Sequence, residues 1–374
     1  MKPYLKSYQV TLQALGPVFI GSGREIGKKE YIFLTQQEAA VPDMEKFYQA
    51  LADRNKAAAF EDYLLGYSRD DLTAWLRKQK IRLAEIKPYM KYTLDCSDAV
   101  IERGVRLQLM ECMKDAYGCP YIPGSSLKGM FRTILLGSDI LKNPDKYRKA
   151  KSTLKRNAPV KKAGNAYLGR DISDIEAAAF RTLERQGSKP KDAVNDCLQG
   201  FRVSDSEPLS LSSLMLSQRV ELHANGVEKK LPLLRECIRP GTKIKFTVTI
   251  DTSVCRITEN MIFEAVRNFM DSYYRNFAAA FPEITKPKED AVFLGGGSGF
   301  VSKTVIYPLF GKQDGIEVTQ QVFDAVFGRL SRTHKHDRDR QFGASPHILK
   351  CTKYQGKTVQ MGLCRIQDIK PVTG

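Results

Sequence analysis

The sequence predicts an α+β fold built on an antiparallel sheet, and three observations lead there. Segments that alternate apolar and polar residues, as half-buried strands do, interleave irregularly with segments of the helical period of about 3.6 residues. The strand-like segments between Phe201 and Ile250 are separated by Asn225-Gly226 and Pro240-Gly241, turns that join antiparallel neighbours. The regular strand–helix succession of a doubly wound parallel sheet is missing.

Taken in order, Ser7 to Leu15 alternate, with Tyr8, Val10, Leu12 and Ala14 on one side and Ser7, Gln9, Thr11 and Gln13 on the other. That is a half-buried strand. It runs through Gly16-Pro17 into VFIGSGREIGKKEY, read as a loop carrying Gly21, Gly23, Gly27, Arg24, Lys28 and Lys29. After Pro42, Asp43 can cap a helix with an apolar stripe of Met44, Phe47, Tyr48 and Leu51, and another helix holds Leu72, Trp75 and Leu76. Trp75, the sole tryptophan, reads as core. A strand is expected near Val105–Met110. A second helical region follows Asp171 (Ile172, Ile175, Ala179, Leu183), ending at Gly187-Ser188-Lys189-Pro190. FRVSD, LMLSQRVELH, LLRECI and TKIKFTVTI are the next strands, the last with Ile244, Phe246, Val248 and Ile250 inward. Thr258 precedes a long helix with Ile262, Val266, Phe269, Met270 and Tyr273 on one face. AVFLGGGSGF reads as a strand entering a glycine-rich loop, and a later helix bears Val322, Phe323, Val326, Phe327 and Leu330.

At 374 residues the chain can bury a substantial core, as two domains or one elaborated domain. Its charge is unbalanced: 59 Lys and Arg against 42 Asp and Glu give a formal net charge of +17. Such an excess favours polyanionic partners and says nothing about fold. The N-terminus lacks a signal-like apolar region and no apolar run is long enough to cross a bilayer, so a cytoplasmic location is expected. Eight scattered cysteines without a CxxC pair point to reduced thiols and against zinc.

The stretch YIPGSSLKGMFRTILL (Tyr121–Leu136) organises the reading. Pro123 and Gly124 break the preceding segment, Ser125 or Ser126 can cap the helix, and Leu127, Met130, Phe131, Ile134 and Leu135 form one apolar stripe. Lys128 and Arg132 share another face near the helix start. Free N–H groups, a glycine turn and two cations suit a phosphate, although an ordinary capped helix with solvated cations has the same pattern. Between Lys142 and Lys162 lie nine Lys or Arg and one acidic residue, Asp145. That run is a solvated face or a track for a nucleic-acid backbone. The tail RLSRTHKHDRDR (Arg329–Arg340) is again basic and reads as mobile.

Gly295, Gly296, Gly297 and Gly299 with Ser298 form the second glycine loop, where close backbone approach to a ligand is expected. From Gly297 the chain reads GSGFVSKT, a P-loop pattern except for Ser302 in place of the second glycine, with Lys303 as its lysine. Asp251 would have to hold magnesium in an altered chain order. His223, His334, His336 and His347 fall in no zinc spacing. His334 and His336 are the tail's only candidates for a general base in RNA cleavage. No catalytic centre emerges.

Three segments together resemble a known family: IGSGREIG after the first strand, YIPGSSLKGMFR, and FLGGGSGFVSKT. This pattern is similar to the RAMP superfamily of CRISPR-associated proteins, and looks most like the fifth subunit of the type III-A (Csm) interference complex. The resemblance implies a ferredoxin-like, RRM-type core over 1–42, 91–140 and 200–374, with a β-hairpin thumb at about 216–240. Residues 43–90 would be a helical insertion and 141–199 a basic helical one. It further implies a structural subunit that binds CRISPR RNA, and possible target RNA, and caps the backbone filament near the guide's 3′ end. Contact with the adjacent backbone RAMP, guide maturation with recruited host nucleases, and a role in antiviral defence would follow. Carried over by position, the RNA-facing residues are Gly21, Gly23, Arg24, Lys28, Lys29, Ser125, Ser126, Lys128, Arg132, Gly295, Gly296, Gly297, Ser298, Gly299, Phe300 and Lys303, with no metal and no cofactor. The neighbouring RAMP carries a cleaving aspartate after its first glycine motif. Here GKKEY (Gly27–Tyr31) has none, so a non-catalytic subunit is expected. The rivals are a RAMP-type endoribonuclease and a P-loop NTPase. Single-stranded RNA also needs planar side chains, for which Tyr31, Tyr121, Phe131 and Phe300 are candidates.

Overall fold

The computed structural model describes residues 4–96, 98–99, 108–160, 168–331 and 333–372. The chain opens with β1 (Leu5–Ala14), β2 (Gly21–Ile26), β3 (Ile32–Phe33) and β4 (Glu38–Pro42). Four helices follow: α1 (Met44–Ala52), α2 (Ala57–Leu65), α3 (Leu72–Lys78) and α4 (Leu83–Ile86). β5 (Met90–Asp95) and β6 (Gln108–Cys112) lead to the long α5 (Gly124–Lys142), then α6 (Arg148–Asn157) and α7 (Gly169–Phe180). β7 (Phe201–Val203), β8 (Leu214–His223), β9 (Glu228–Ile238) and β10 (Lys243–Asp251) come next, followed by α8 (Glu259–Asn276), β11 (Ala291–Phe293) and α9 (Ile306–Phe327). The chain closes with α10 (Asp339–Phe342), β12 (Ile348–Tyr354), β13 (Lys357–Gln360) and β14 (Leu363–Pro371). The N-terminal part of the strand expected near Val105 lies outside the described residues, as do Lys161 and Lys162.

These strands form two sheets. The first has five strands in the order β11-β14-β1-β10-β7, all antiparallel. Its register sets Val10 opposite Phe246 and Leu12 opposite Ile244, so the apolar sides of both strands face one way. Phe131 of α5 packs edge-on against Phe201 and tilts over Phe246, which seats α5 on that face. The second sheet has nine strands, running β2-β6-β9-β8-β5-β4-β3, with β12 on β8 and β13 on β12. It is mixed: β6 runs parallel to β9, and β5 meets β8 in parallel at Asp95 and Met215. The architecture is α+β.

Local rules account for many elements. Asp43 and Thr258 accept N–H bonds at the starts of α1 and α8, and the predicted stripes of α5 and α8 are buried. Elsewhere the structure differs. Neither Ser125 nor Ser126 caps α5: the Asp205 carboxylate accepts the Gly124 N–H at 2.7 Å, and Pro123 is the cap residue. The segment read as a glycine loop is strand β2, paired with β6 at Gly21 and bulged before Glu25. α9 starts well before its predicted apolar stripe, continues through Pro308 and kinks at Gly311. Val326, Phe327 and Leu330 stay exposed. The basic tail is folded into short helical turns, and His336 and Asp339 within it are buried.

One large core joins α5, α8, α9 and both sheets. A separate apolar cluster, including Phe47, Phe60, Leu72 and Trp75, holds α1–α3 together. The two sheets meet at short bridges, Val18 to Ile238 and Phe19 to Gly296.

Candidate nucleic-acid interface

The Phe19–Gly296 bridge brings the glycine motifs together. The Gly296 N–H donates to the Phe19 carbonyl at 2.6 Å. Gly295 has φ +80°, and a side chain there would place its Cβ 2.3 Å from the same carbonyl, so glycine is required on both counts. Gly21 and Gly296 both lie against the Phe19 ring. A groove of about 400 Å³ runs past Gly21, Ser126, Gly129, Thr133, Gly295, Gly296, Ser302 and Lys303. All three sequence motifs line it.

Beyond the second loop lies a wider cleft of about 750 Å³, walled by Gly297, Ser298, Gly299, Phe300 and Lys303 on one side and by β8, β9 and β12 on the other. Among the described residues its cations are Arg219, Lys229, Lys303 and Lys350, and its one carboxylate, Glu221, is ion-paired with Arg219. Half-buried Phe300 packs against Phe323 at 5.2 Å between ring centres, leaving an aromatic floor. Arg235 lies under Gly297 and over the Phe19 ring, 5.4 Å from its centre. Burial, then the neighbouring Arg219, depresses the Arg235 pKa. Lys350 is depressed by burial and then by Arg219 and Arg235. Lys303 reaches solvent, yet the protein packed around it lowers its pKa, and its ammonium has no ion-pair or hydrogen-bond partner among the described residues. Like charges held together at a partly desolvated place favour an anion.

The remaining predicted cations are committed elsewhere. Lys28 donates to the Ser68 carbonyl at 3.0 Å, and Lys29 to those of Tyr63, Leu64 and Gly66 at 2.6, 3.0 and 2.9 Å. Arg24 pairs with Glu30, which also accepts the Gly27 N–H at 2.7 Å. Lys128 donates to the Leu198 carbonyl at 2.7 Å; burial lowers its pKa. Arg132 bridges Asp196 and Glu176, each at 2.9 Å, and lies over the Phe180 ring. Lys128 and Arg132 therefore hold the 171–200 region against α5 and turn away from the groove. Gly23 and Ser125 are on the surface. Tyr31 and Phe131 are buried in the core and Tyr121 is half-buried. Arg219 and Arg235 escaped sequence reasoning because their strands read as ordinary alternation, and Lys350 because no strand was expected at Ile348–Tyr354.

No P-loop geometry forms. Val301–Lys303 is a single 3₁₀ turn and α9 begins only at Ile306. The Ser302 hydroxyl donates back to the Ser298 carbonyl at 2.9 Å, and Asp251 accepts from Ser253 at the far end of β10.

This α+β fold with its joined glycine loops has counterparts among known proteins. The family model of the RAMP superfamily matches residues 11–302, and the chain belongs to that superfamily as a Csm5-like member. It is 31% identical to the CRISPR system protein Csm5 of Mycobacterium tuberculosis over 98% of both chains. Identity to Csm5 of Streptococcus thermophilus is 29% over 84% of each. A chain of a solved type III-A Csm–crRNA–target RNA ternary complex shares the fold, with TM-score 0.60 at 19% identity over 96% of this chain and 100% of that one. Csm5 of T. onnurineus does so with TM-score 0.55 at 17% identity over 96% and 100%.

Proposed function

We propose that the protein is an RNA-binding, non-catalytic subunit of a type III-A CRISPR (Csm) effector complex. Whole-length similarity to Csm5 supports membership of the complex. The observation that carries RNA binding is the cluster of Lys229, Arg235, Lys303 and Lys350 around the second glycine loop and its cleft, whose one carboxylate, Glu221, is taken up by Arg219, with Phe300 as the floor. Phosphates would neutralise these cations, the bare glycine backbone would admit the sugar-phosphate chain, and Phe300 would stack a base.

The rest of the reading follows the fold. β1, α5, β7, β10, α8 and the β11/β14 pair succeed one another as strand, helix, strand, strand, helix, strand. Their spatial order, fourth-first-third-second, supports a ferredoxin-like unit. The β8–β9 hairpin, turning at Asn225-Gly226 with exposed Lys229 and Lys230, is the candidate thumb. The separate apolar cluster of 32–90 supports a helical insertion there. In the assembly the subunit would sit in the cytoplasm at the end of the filament near the guide's 3′ end. There it would contact the adjacent backbone RAMP and serve guide maturation and antiviral defence with recruited nucleases. Glu30, engaged with Arg24 and the Gly27 N–H, is poorly placed to serve cleavage.

The test is photocrosslinking in the reconstituted complex, with a photoreactive uridine stepped along the guide. Crosslinks to the Gly297–Lys303 loop from positions near the 3′ end only are expected. Crosslinks from the 5′ end, or RNA cut in a Glu30-dependent way, would refute the assignment.

A further inference from the structure

The four histidines of the chain, scattered in sequence, converge in the fold. His223 ends β8, His334 and His336 follow α9, and His347 immediately precedes β12. Ring centres lie 5.6 Å apart for His223 and His347, 5.4 Å for His336 and His347, and 6.2 Å for His334 and His336. Asp339, at the head of α10, stands between two of them. Its Oδ2 is 3.2 Å from His336 Nδ1 and its Oδ1 is 2.5 Å from His347 Nδ1. Asp339 is 0% exposed, His347 2% and His336 6%.

From this geometry we infer that His336, Asp339 and His347 bind a divalent first-row transition-metal ion, zinc being the one that the donors suit best. The donor atoms all lie within 4.8 Å of one another. Two donors, each about 2.0–2.2 Å from a tetrahedral zinc, sit about 3.4 Å apart, so small side-chain rotations bring all three onto one ion. Two imidazoles and one carboxylate are a borderline-soft nitrogen and oxygen set, which selects against magnesium and calcium. A wholly buried carboxylate must be paired or coordinated, and an ion held by Asp339 with the two imidazoles would meet that need alongside the Ser345 hydroxyl. The fourth position is left to His223 or to water from the cleft.

The ion would act as a clamp. Its ligands come from the turn before α10, from α10 itself and from the residue just before β12. Binding would therefore pin the basic segment after α9 to the edge of the second sheet. Pro346, Ile348 and Lys350, next along the chain, line the cationic cleft, so the clamp would hold one of its walls.

The test uses the full chain purified without a polyhistidine tag, loaded with zinc and desalted, with its metal measured by mass spectrometry. About one equivalent is expected, falling at least five-fold in the His336→Ala, His347→Ala double variant. In the wild type, cobalt loading should give the visible absorption of a tetrahedral nitrogen and oxygen site, independently of how any variant folds. A chelator should lower the wild-type melting temperature by several degrees, and added zinc should restore it. Less than one-tenth equivalent after loading, with no cobalt band and no chelator effect, would overturn the proposal. So would equal metal content in wild type and a folded double variant. None of these readouts depends on RNA binding.

Discussion

If the cluster around the second glycine loop binds phosphates, affinity must fall with salt by an amount the structure fixes. Four cations outside any ion pair among the described residues border that loop and its cleft: Lys229, Arg235, Lys303 and Lys350. Each phosphate neutralised on a single strand contributes about −0.7 to the slope of log affinity against log salt, so four give about −2.8. Raising salt from about 50 to about 200 mM should then weaken binding roughly 50-fold. The Arg235→Ala, Lys303→Ala double variant should show a slope of about −1.4 and only about a seven-fold loss over the same range. The assay is fluorescence anisotropy of a labelled single-stranded RNA with the full chain. Lys128→Ala, Arg132→Ala is the control. It removes the bridges to Asp196 and Glu176, so it should cost about 1–3 kcal/mol of stability and leave the slope unchanged. A wild-type slope in the first variant, or a halved slope in a stable control, would refute the placement of the site.

Three further outcomes follow from the packing. Gly295→Ala imposes a left-handed φ on alanine, about 1–2 kcal/mol, and drives its Cβ into the Phe19 carbonyl, whereas Gly23→Ala, at φ +89° in open space, costs only the first term; melting temperatures should separate them. Glu236 is fully buried and accepts from Lys114, Tyr92 and the Cys112 N–H, so Lys114→Met should destabilise by about 3–5 kcal/mol in urea unfolding; a loss under about 1 kcal/mol would contradict a buried pair. Burial raises the Asp139 pKa, but Lys146, Tyr147 and Asn143 outweigh it and hold the carboxyl below its usual range. Its contribution is therefore complete above the unfolded pKa of about 3.9 and fades as pH falls through the lower folded value, so the gap between wild type and Asp139→Asn should close on acidification from about pH 6 to about pH 2.

Much of the scaffold was legible because its causes are local. The stripe from Leu127 to Leu135 and the alternation from Tyr8 to Ala14 each report a face turned inward, whatever lies opposite. Asp43 and Thr258 cap their helices through bonds spanning three residues. What opposes each face was not legible. The capping of α5 by Asp205 crosses 81 positions, and the pairing of Phe19 with Gly296 crosses more than two hundred. α9 was partly hidden because Pro308 and Gly311 read as breakers, yet the helix absorbs both at a kink. Its exposed Val326 and Phe327 show that periodicity reports a helix without reporting what covers it.

Choosing cations by their density along the chain fails for a related reason. Lys29 lies beside a glycine motif, but its ammonium reaches the carbonyls of Tyr63 and Leu64 at the C-terminal end of α2, where unsatisfied acceptors and the negative end of the helix dipole draw it. Lys128 reaches the Leu198 carbonyl, which also accepts the Phe201 N–H, and Arg132 meets two carboxylates. Arg235 and Lys350 form no ion pair among the described residues, because Glu221, the carboxylate opposite Lys350 on β8, is already held by Arg219. Availability for a polyanion is thus set by where carboxylates and helix ends are lacking in the fold. A net charge of +17 gives the excess of cations over carboxylates, and only the fold says which cations remain to bind.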